Sequence, residues 1–309
     1  GQGEYLIAEA DESDKSFLLL QPSISIITNI EPDHLINYDN DFGNLKEAFL
    51  GFIKNLPFNG VSIVCGDDKV VNEIKNQFQR NHISYGFDLS NDFVISDYET
   101  DGLKSTFKIK WGSEVLELTL NMLGRHNVLN ASAAAILCMQ EGISTEIIRE
   151  SLENFMGIDR RMQILGEKQS KKFRSLYIDD YGHHPTEIKN TIKAVRESYP
   201  DFRLKMIFQP HRFTRTNDLY KEFVEVLKEV DELTLLDIYS AGENEIEGIS
   251  SSNIKKSLEE QGYLSAELLS DKELVIKKLH EDTDSNDVFI FQGAGDISSI
   301  SQYVAKNFF

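Results

Sequence analysis

The sequence predicts an α/β protein of two doubly wound domains, the first carrying an added β-meander. Three observations predict it. Apolar runs of strand length alternate with helix-periodic segments near both ends of the chain, as parallel strands with helical crossovers require. A strand-rich stretch, Ser84–Leu120, interrupts that alternation once. Polar and titratable residues gather just after the predicted strands, where open parallel sheets bind ligands.

The elements follow in order. Tyr5–Ala10 is apolar, ends in acids and reads as a buried strand. Ser23–Asn29 is a β-branched strand ending at a polar turn. Phe42–Asn55 is a helix, because Phe42, Leu45, Phe49, Phe52 and Ile53 fall on one face. Val61–Cys65 is another strand, followed by Gly66-Asp67-Asp68 and a helix. Phe93–Ser96, Thr106–Lys110 and Val115–Leu120 form the meander. Gly124-Arg125-His126-Asn127 introduces an Ala-rich helix, Val128–Glu141, and a second helix covers Thr145–Asn154. The domain boundary falls near Gly157, giving domains 1–156 and 157–309 of ordinary size. Beyond it come strand Leu176–Ile178, helix Thr186–Ser198, strand Leu204–Phe208, helix Asn217–Lys228, strand Glu232–Leu236, helices Ser252–Gln261 and Lys272–His280, and strand Asp287–Gln292.

Composition excludes several classes. The 309 residues are 40% hydrophobic, enough for real cores. No apolar run reaches the ~18 residues of a membrane span. A net charge of −19 argues against nucleic acid and means that an anionic ligand must meet local positive charge. The two cysteines, Cys65 and Cys138, lie in apolar surroundings, are too few for a disulfide scaffold and read as buried free thiols in a reducing cytoplasm. The chain opens Gly1-Gln2-Gly3-Glu4 with neither a signal-peptide pattern nor an initiator Met, and is read as truncated or processed.

Seven clusters could carry chemistry. Glu9–Asp14 follows a predicted strand, where an acid fits Mg²⁺, a hard cation that takes oxygen ligands; a solvated acidic loop is the other reading. His34 closes Asn29-Ile30-Glu31-Pro32-Asp33-His34. Alone it reads as structural, but with Glu9 on a neighbouring strand end it completes a candidate metal pair. Asn127 and Asn130 share a helix face and could read an adenine edge, or Asn127 could cap the helix. Asp159-Arg160-Arg161 offers guanidinium forks to phosphate, or a surface or interdomain ion pair. Asp179–Glu187 and Gln209–Thr216 each follow a strand, and the second gathers His211, Arg212 and Arg215 in a very acidic protein. That gathering favours an anion site over chance. Gly293-Ala294-Gly295-Asp296-Ile297 is a small-residue turn, weak by itself.

In this order, the segments EADESD (Glu9–Asp14), NIEPDH (Asn29–His34), GRHNVLNA (Gly124–Ala131), DDYGHHPTE (Asp179–Glu187), QPHRFTRT (Gln209–Thr216) and QGAGD (Gln292–Asp296) resemble the Mur ligases. These are ATP-dependent amino-acid ligases of bacterial cell-wall synthesis. The resemblance runs the length of the chain. Folylpolyglutamate synthases share the plan but are not expected to carry DDYGHHPTE with QPHRFTRT. Ser13-Asp14 fits the members that add L-alanine to UDP-N-acetylmuramate better than the murein-peptide recycling ligase.

The resemblance implies a partial central ATP-binding domain over 1–156 and a Rossmann-like C-terminal domain over 157–309. It implies ATP and Mg²⁺ as cofactors, UDP-N-acetylmuramate and L-alanine as substrates, a cytoplasmic monomer or homodimer, and an acyl-phosphate intermediate. Carried over residue by residue, it makes Glu9 and His34 metal ligands and places His126, Asn127 and Asn130 at the nucleotide. Arg161 becomes a phosphate-facing catalytic arginine. Tyr181, His183, Arg212 and Arg215 contact the incoming amino acid or the acyl phosphate, with His183 and Arg212 also catalytic. Sister ligases use a carbamylated lysine; Lys46 is nearby but is not assigned that role.

Set against the resemblance, two family features are missing from the sequence: the G-x-x-G-K-T phosphate loop, whose Lys and Thr cradle the nucleotide, and the N-terminal domain that binds the UDP-sugar. A second reading is therefore a non-catalytic fragment or accessory module with the ligase fold. Given ATP, Mg²⁺, UDP-N-acetylmuramate and L-alanine, the purified 309-residue chain is expected to release no phosphate above background. Robust alanine-dependent release in a phosphate assay would refute this.

Overall fold

A computed structural model of the protein describes residues 3–102, 104–170, 172–281 and 285–309. The chain divides into two compact units. One comprises Gly1–Glu99, Thr106–Leu120 and His126–Asn154; the other comprises Thr100–Ser105, Asn121–Arg125 and Phe155–Phe309.

The first unit is built on a sheet of β1 (Ile24–Ile27), β2 (Val61–Cys65), β3 (Asn81–Gly86), β4 (Phe93–Asp101), β5 (Lys104–Trp111) and β6 (Glu114–Leu120), in that spatial order. β1, β2 and β3 are parallel, and β4 to β6 form the meander. α1 (Phe42–Lys54) begins where Asp41 accepts the Gly43 N–H at 2.7 Å. It packs Leu45 and Ile53 with Ile27, Val64 and the α2 (Lys69–Ile74) residues Val71 and Ile74. α3 (Arg125–Gln140) and α4 (Thr145–Glu153) complete the unit.

Two expectations change here. β3 was not foreseen: Asn-His-Ile-Ser-Tyr-Gly reads as polar, yet Ser84 and Tyr85 are buried once the strand pairs with β2. Tyr5–Ala10 is not a strand; Leu6 and Ile7 are 93% and 92% exposed. β1 stands first in the sheet order and pairs with β2 alone among the described residues. An apolar run becomes a strand only when another backbone meets its N–H and C=O groups.

The second unit runs β7 (Gln163–Gln169), β8 (Arg174–Asp180), α5 (Pro185–Ser198), β9 (Arg203–Phe208), α6 (Phe213–Asp218), α7 (Tyr220–Leu227), β10 (Glu232–Leu235), α8 (Ser251–Glu260), β11 (Ala266–Leu268), α9 (Lys272–Glu281), β12 (Asp287–Gln292) and α10 (Ser298–Asn307). The sheet order is β11-β10-β9-β12-β8-β7. All neighbours are parallel except β7, an antiparallel edge strand with an irregular register between Ile164 and Gly166.

Strand alternation divides the core in two. Leu176, Ile178, Leu204, Met206, Phe208, Val288 and Ile290 face α5, α7 and α8. Tyr177, Ile207, Phe289 and Phe291 face α9 and α10. The single helix expected over Asn217–Lys228 is two helices, broken at Leu219 (φ −113°, ψ 24°). β7, β11 and α10 lay outside the sequence reading.

Phe289 is buried and stacks on Tyr177 with ring centroids 4.9 Å apart. Phe289→Ala is expected to destabilise the second unit by about 3–5 kcal/mol. Urea unfolding followed by tyrosine fluorescence checks it, the midpoint for this unit moving down.

Candidate functional site

The sheet of the second unit sets the site. Asp180, Gln292 and Phe208 are register partners, so β8, β12 and β9 end level. Three turns leave that edge together. The Gln292 amide donates to Asp180 Oδ1 at 2.7 Å and to the Gly182 carbonyl at 2.7 Å. The Gln209 amide donates to Asp296 Oδ1 at 2.7 Å, and its carbonyl oxygen accepts the Ile297 N–H at 2.9 Å. Gly293 (φ 140°) lets the backbones close up, since a Cβ there would stand 2.6 Å from the Gln209 carbonyl.

Side chains converge above this base. His183 Nδ1 lies 3.2 Å from the Tyr181 carbonyl, which can only accept, so Nδ1 carries a proton. Glu187 accepts the backbone N–H groups of His183 and His184 at 2.8 and 3.0 Å, fixing the turn into α5. Burial pushes the Glu187 carboxyl up, but His183, these two donors and Arg161 outweigh it and hold the group below the usual glutamate range.

The rings form a chain. Tyr181 meets His183 edge-on at 5.5 Å, His183 lies 5.6 Å from His211, and His211 stacks on Tyr239 at 5.5 Å. Arg215 Nη1 stands 3.4 Å from His211 Nδ1; a guanidinium can only donate, so the His211 proton sits on Nε2. Burial, then His183, Arg215 and Arg212, push His211 down to about 4, so it is neutral at pH 7.

Arg212 occupies a glycine-like backbone conformation (φ 72°, ψ 138°), and its N–H donates to the Tyr239 carbonyl at 2.8 Å. Its guanidinium stands 3.7 Å from Glu243. Arg161 pairs with Glu187 at 3.2 Å and lies over the Tyr181 ring. Arg160 turns inward, to the Gly293 carbonyl at 2.5 Å and to buried Asp179 at 3.5 Å. Burial pushes the Asp179 carboxyl up, against the opposing pull of Ser301 and Arg160.

In the first unit, the Glu9–Asp14 loop and the turn after His34 touch. Tyr38 Oη donates to the Glu12 carbonyl at 2.5 Å, and the Asn37 amide donates to the Ser13 carbonyl at 2.6 Å. Glu9 is exposed; His34, at φ 55°, lies 3.6 Å from Asp33. Their expected positions at the ends of neighbouring strands do not hold, because Tyr5–Ala10 pairs with no strand among the described residues. Among the described residues no three His, Cys, Asp or Glu side chains converge as a metal cage. Mg²⁺ does not need one, being held by one or two side chains, waters and substrate phosphates. Glu9 offers an exposed carboxylate of the kind Mg²⁺ takes, while the contacts described between the two loops run through Glu12, Ser13, Asn37 and Tyr38. His126 and Asn127 lie in the first turn of α3, Asn127 buried, with Asn130 exposed one turn on.

Residues 2–138 match the Mur ligase middle domain, and residues 160–295 match the Mur ligase glutamate ligase domain. The chain belongs to the Mur ligase family. Among solved structures, it is similar to UDP-N-acetylmuramate–alanine ligase from Thermotoga maritima (26% identity, TM-score 0.77), covering 97% of this chain and 62% of that one. It shares its fold with MurF from Acinetobacter baumannii (18% identity, TM-score 0.71; 94% and 61% of the two chains). The murein peptide ligase of Psychrobacter arcticus is also similar in fold (21% identity, TM-score 0.61; 94% and 58%). The chain thus spans about three fifths of the length of these ligases.

The C-terminal unit of this Mur ligase chain brings Arg161, Tyr181, His183, Arg212 and Arg215 to one sheet edge. Sequence reasoning passed over Tyr239 and Glu243, in the long loop after β10, and the supporting amides of Gln209 and Gln292. The signal available was positional: that loop also follows a parallel strand of the same sheet.

A folded pKa near 4 lies below the ordinary 6.5 of histidine. Between these values the unfolded chain binds the extra proton, so the His211 contribution to stability is complete above pH 6.5 and is lost as pH falls toward 4. In a histidine NMR titration, His211 should stay neutral through pH 5; a midpoint near 6.5 would contradict the burial argument.

Proposed function

We propose that this Mur ligase chain serves the ATP-dependent ligation of L-alanine to UDP-N-acetylmuramate. The observation that carries the reading is the pairing of Arg212 and Arg215 with a neutral His211 at one edge of the C-terminal sheet. In a protein of net charge −19, this concentration of positive charge suits a small carboxylate. The likeness to the Thermotoga alanine ligase supports the choice of amino acid.

In the first step, a carboxylate oxygen of the muramate attacks the γ-phosphorus of ATP and the bond to ADP breaks. His126, Asn127 and Asn130 are assigned to the nucleotide and Arg161 to the transferred phosphoryl group. Glu9 and His34 would hold Mg²⁺, which neutralises phosphate charge when bound. In the second step, the alanine amine attacks the acyl carbon and the C–O bond to phosphate breaks. Arg212 and Arg215 grip the alanine carboxylate, and Tyr181 walls the pocket. Because Nδ1 of His183 carries a proton directed at the Tyr181 carbonyl, Nε2 is the basic nitrogen of the neutral ring. It is assigned the proton that the amine sheds.

Arg212→Lys and Arg215→Lys keep the charge but lose the guanidinium fork. In an active ligase that contains this chain, each should raise the KM for L-alanine about tenfold, matching a lost charge-assisted hydrogen bond of ~1.5 kcal/mol, while the KM for ATP stays put. An unchanged alanine KM in both variants would leave the arginines as ion-pair partners of the surrounding acids.

A further inference from the structure

We propose that Glu243 determines specificity in this pocket: it is a fixed carboxylate that favours the zwitterion of a neutral amino acid and rejects amino acids bearing a second negative charge. The inference rests on the reading of Arg212 and Arg215 as a carboxylate site and names the class of ligand that site takes.

Three observations carry it. First, Glu243 is anchored through both carboxylate oxygens. One carboxylate oxygen accepts the Thr214 N–H at 3.0 Å and the other accepts Thr214 Oγ1 at 2.8 Å. Second, it is a full negative charge at neutral pH. Burial pushes its carboxyl up, but the Thr214 donors, Arg212 and the Phe213 N–H prevail and hold it below the ordinary glutamate range. Third, its distance from Arg212 is that of an ion pair without a hydrogen bond. Arg212 Nη1 lies 3.7 Å away, and the Arg212 side chain is 50% exposed against 20% for Glu243. The guanidinium therefore opens outward with its donors uncommitted to this carboxylate.

Local chemistry alone does not call for this arrangement. A Ser, Thr, Asp or Asn at position 212 would cap α6 from within. Instead Arg212 stands at that position without a side-chain cap, and the first turn receives its acceptor from the loop after β10. The result sets one positive and one negative charge side by side at the mouth of the pocket.

The charges then sort ligands. With His211 neutral, Arg212 and Arg215 offer the positive charge that meets a ligand carboxylate, and Glu243 stands beside them as a negative charge. The α-ammonium of an amino acid is one carbon from its carboxylate, so a carboxylate gripped by Arg212 brings the ammonium within the field of Glu243. A second carboxylate, as in glutamate or aspartate, meets Glu243 as a like charge instead.

The test measures binding of L-alanine and of D-glutamate to the 309-residue chain by NMR, reading the His211 ring resonances. Glu243→Gln removes the charge and keeps one oxygen acceptor for the Thr214 N–H, while its NH2 can donate to Thr214 Oγ1. It should weaken alanine and tighten glutamate, so that their affinity ratio falls roughly tenfold. Thr214→Val disturbs the anchor and keeps the charge; it should lower the melting temperature while the ratio stays well above that of Glu243→Gln. If the ratio is the same in wild type and Glu243→Gln, Glu243 is only a helix anchor and the inference is wrong. If alanine leaves the His211 resonances of the wild-type chain unmoved, the pocket reading itself is wrong, and this inference goes with it.

Discussion

Because β12 pairs with β8 on one side and β9 on the other, the turns after all three strands leave the sheet at the same level. The last strand of the unit in sequence is central in space, and its register places DDYGHHPTE against QPHRFTRT. Main-chain pairing sets the coarse spacing, and the two glutamines at the strand ends set the fine spacing. Gln292 ties the first turn to β12, and Gln209 ties the second to the Gly-rich turn between them. The Gln292 amide nitrogen is engaged twice and Gln209 is engaged through both amide ends, and such buried bonds resist displacement, because any shift strands a polar group without water. The catalytic-type side chains are thus carried on loops whose bases are as constrained as the sheet.

Charge is organised the same way. Asp179 and Asp180 are buried at the end of β8, where unpaired carboxylates would be costly. Asp180 is met by Gln292, the Gly182 N–H and the Met162 N–H. Asp179 is met by Ser301 and Arg160. These acids therefore act as acceptors that fix the turn, and the positive face above is left to Arg212 and Arg215. Lowering of the His211 pKa follows first from its burial and then from His183, Arg215 and Arg212 beside it, which disfavour a further positive charge.

Much of this was legible because the information is local. α1 carries five apolar residues at helical spacing, and β2 and β9 are unbroken apolar runs; no tertiary contact was needed to place them. The loops Asp179–Glu187 and Gln209–Thr216 stood out because titratable residues directly after a strand are rare without a purpose. What escaped depends on partners distant in sequence. β3 and β7 are polar or half-exposed strands recognisable only by their ladders. Tyr5–Ala10 has the right apolarity but no strand partner among the described residues. Arg160 and Arg161 look alike in sequence, yet left-handed residues at Arg160 and Met162 turn one guanidinium inward and leave the other partly exposed. Glu243 reaches Arg212 only through the continuation of β9 and β10 pairing into the isolated bridge between His211 and Tyr239.

That continuation also explains the unusual backbone at Arg212, held at φ 72° between its bond to the Tyr239 carbonyl and the start of α6. A conformation suited to glycine costs an arginine on the order of 1–3 kcal/mol. Selection for a sturdier fold alone would push this position toward glycine, and only a use for the guanidinium pushes back. Position 212 therefore works as a natural record of selective pressure. A lineage that kept the fold but abandoned the reaction would be expected to drift to glycine there and gain thermal tolerance, while a working lineage would retain the strained arginine.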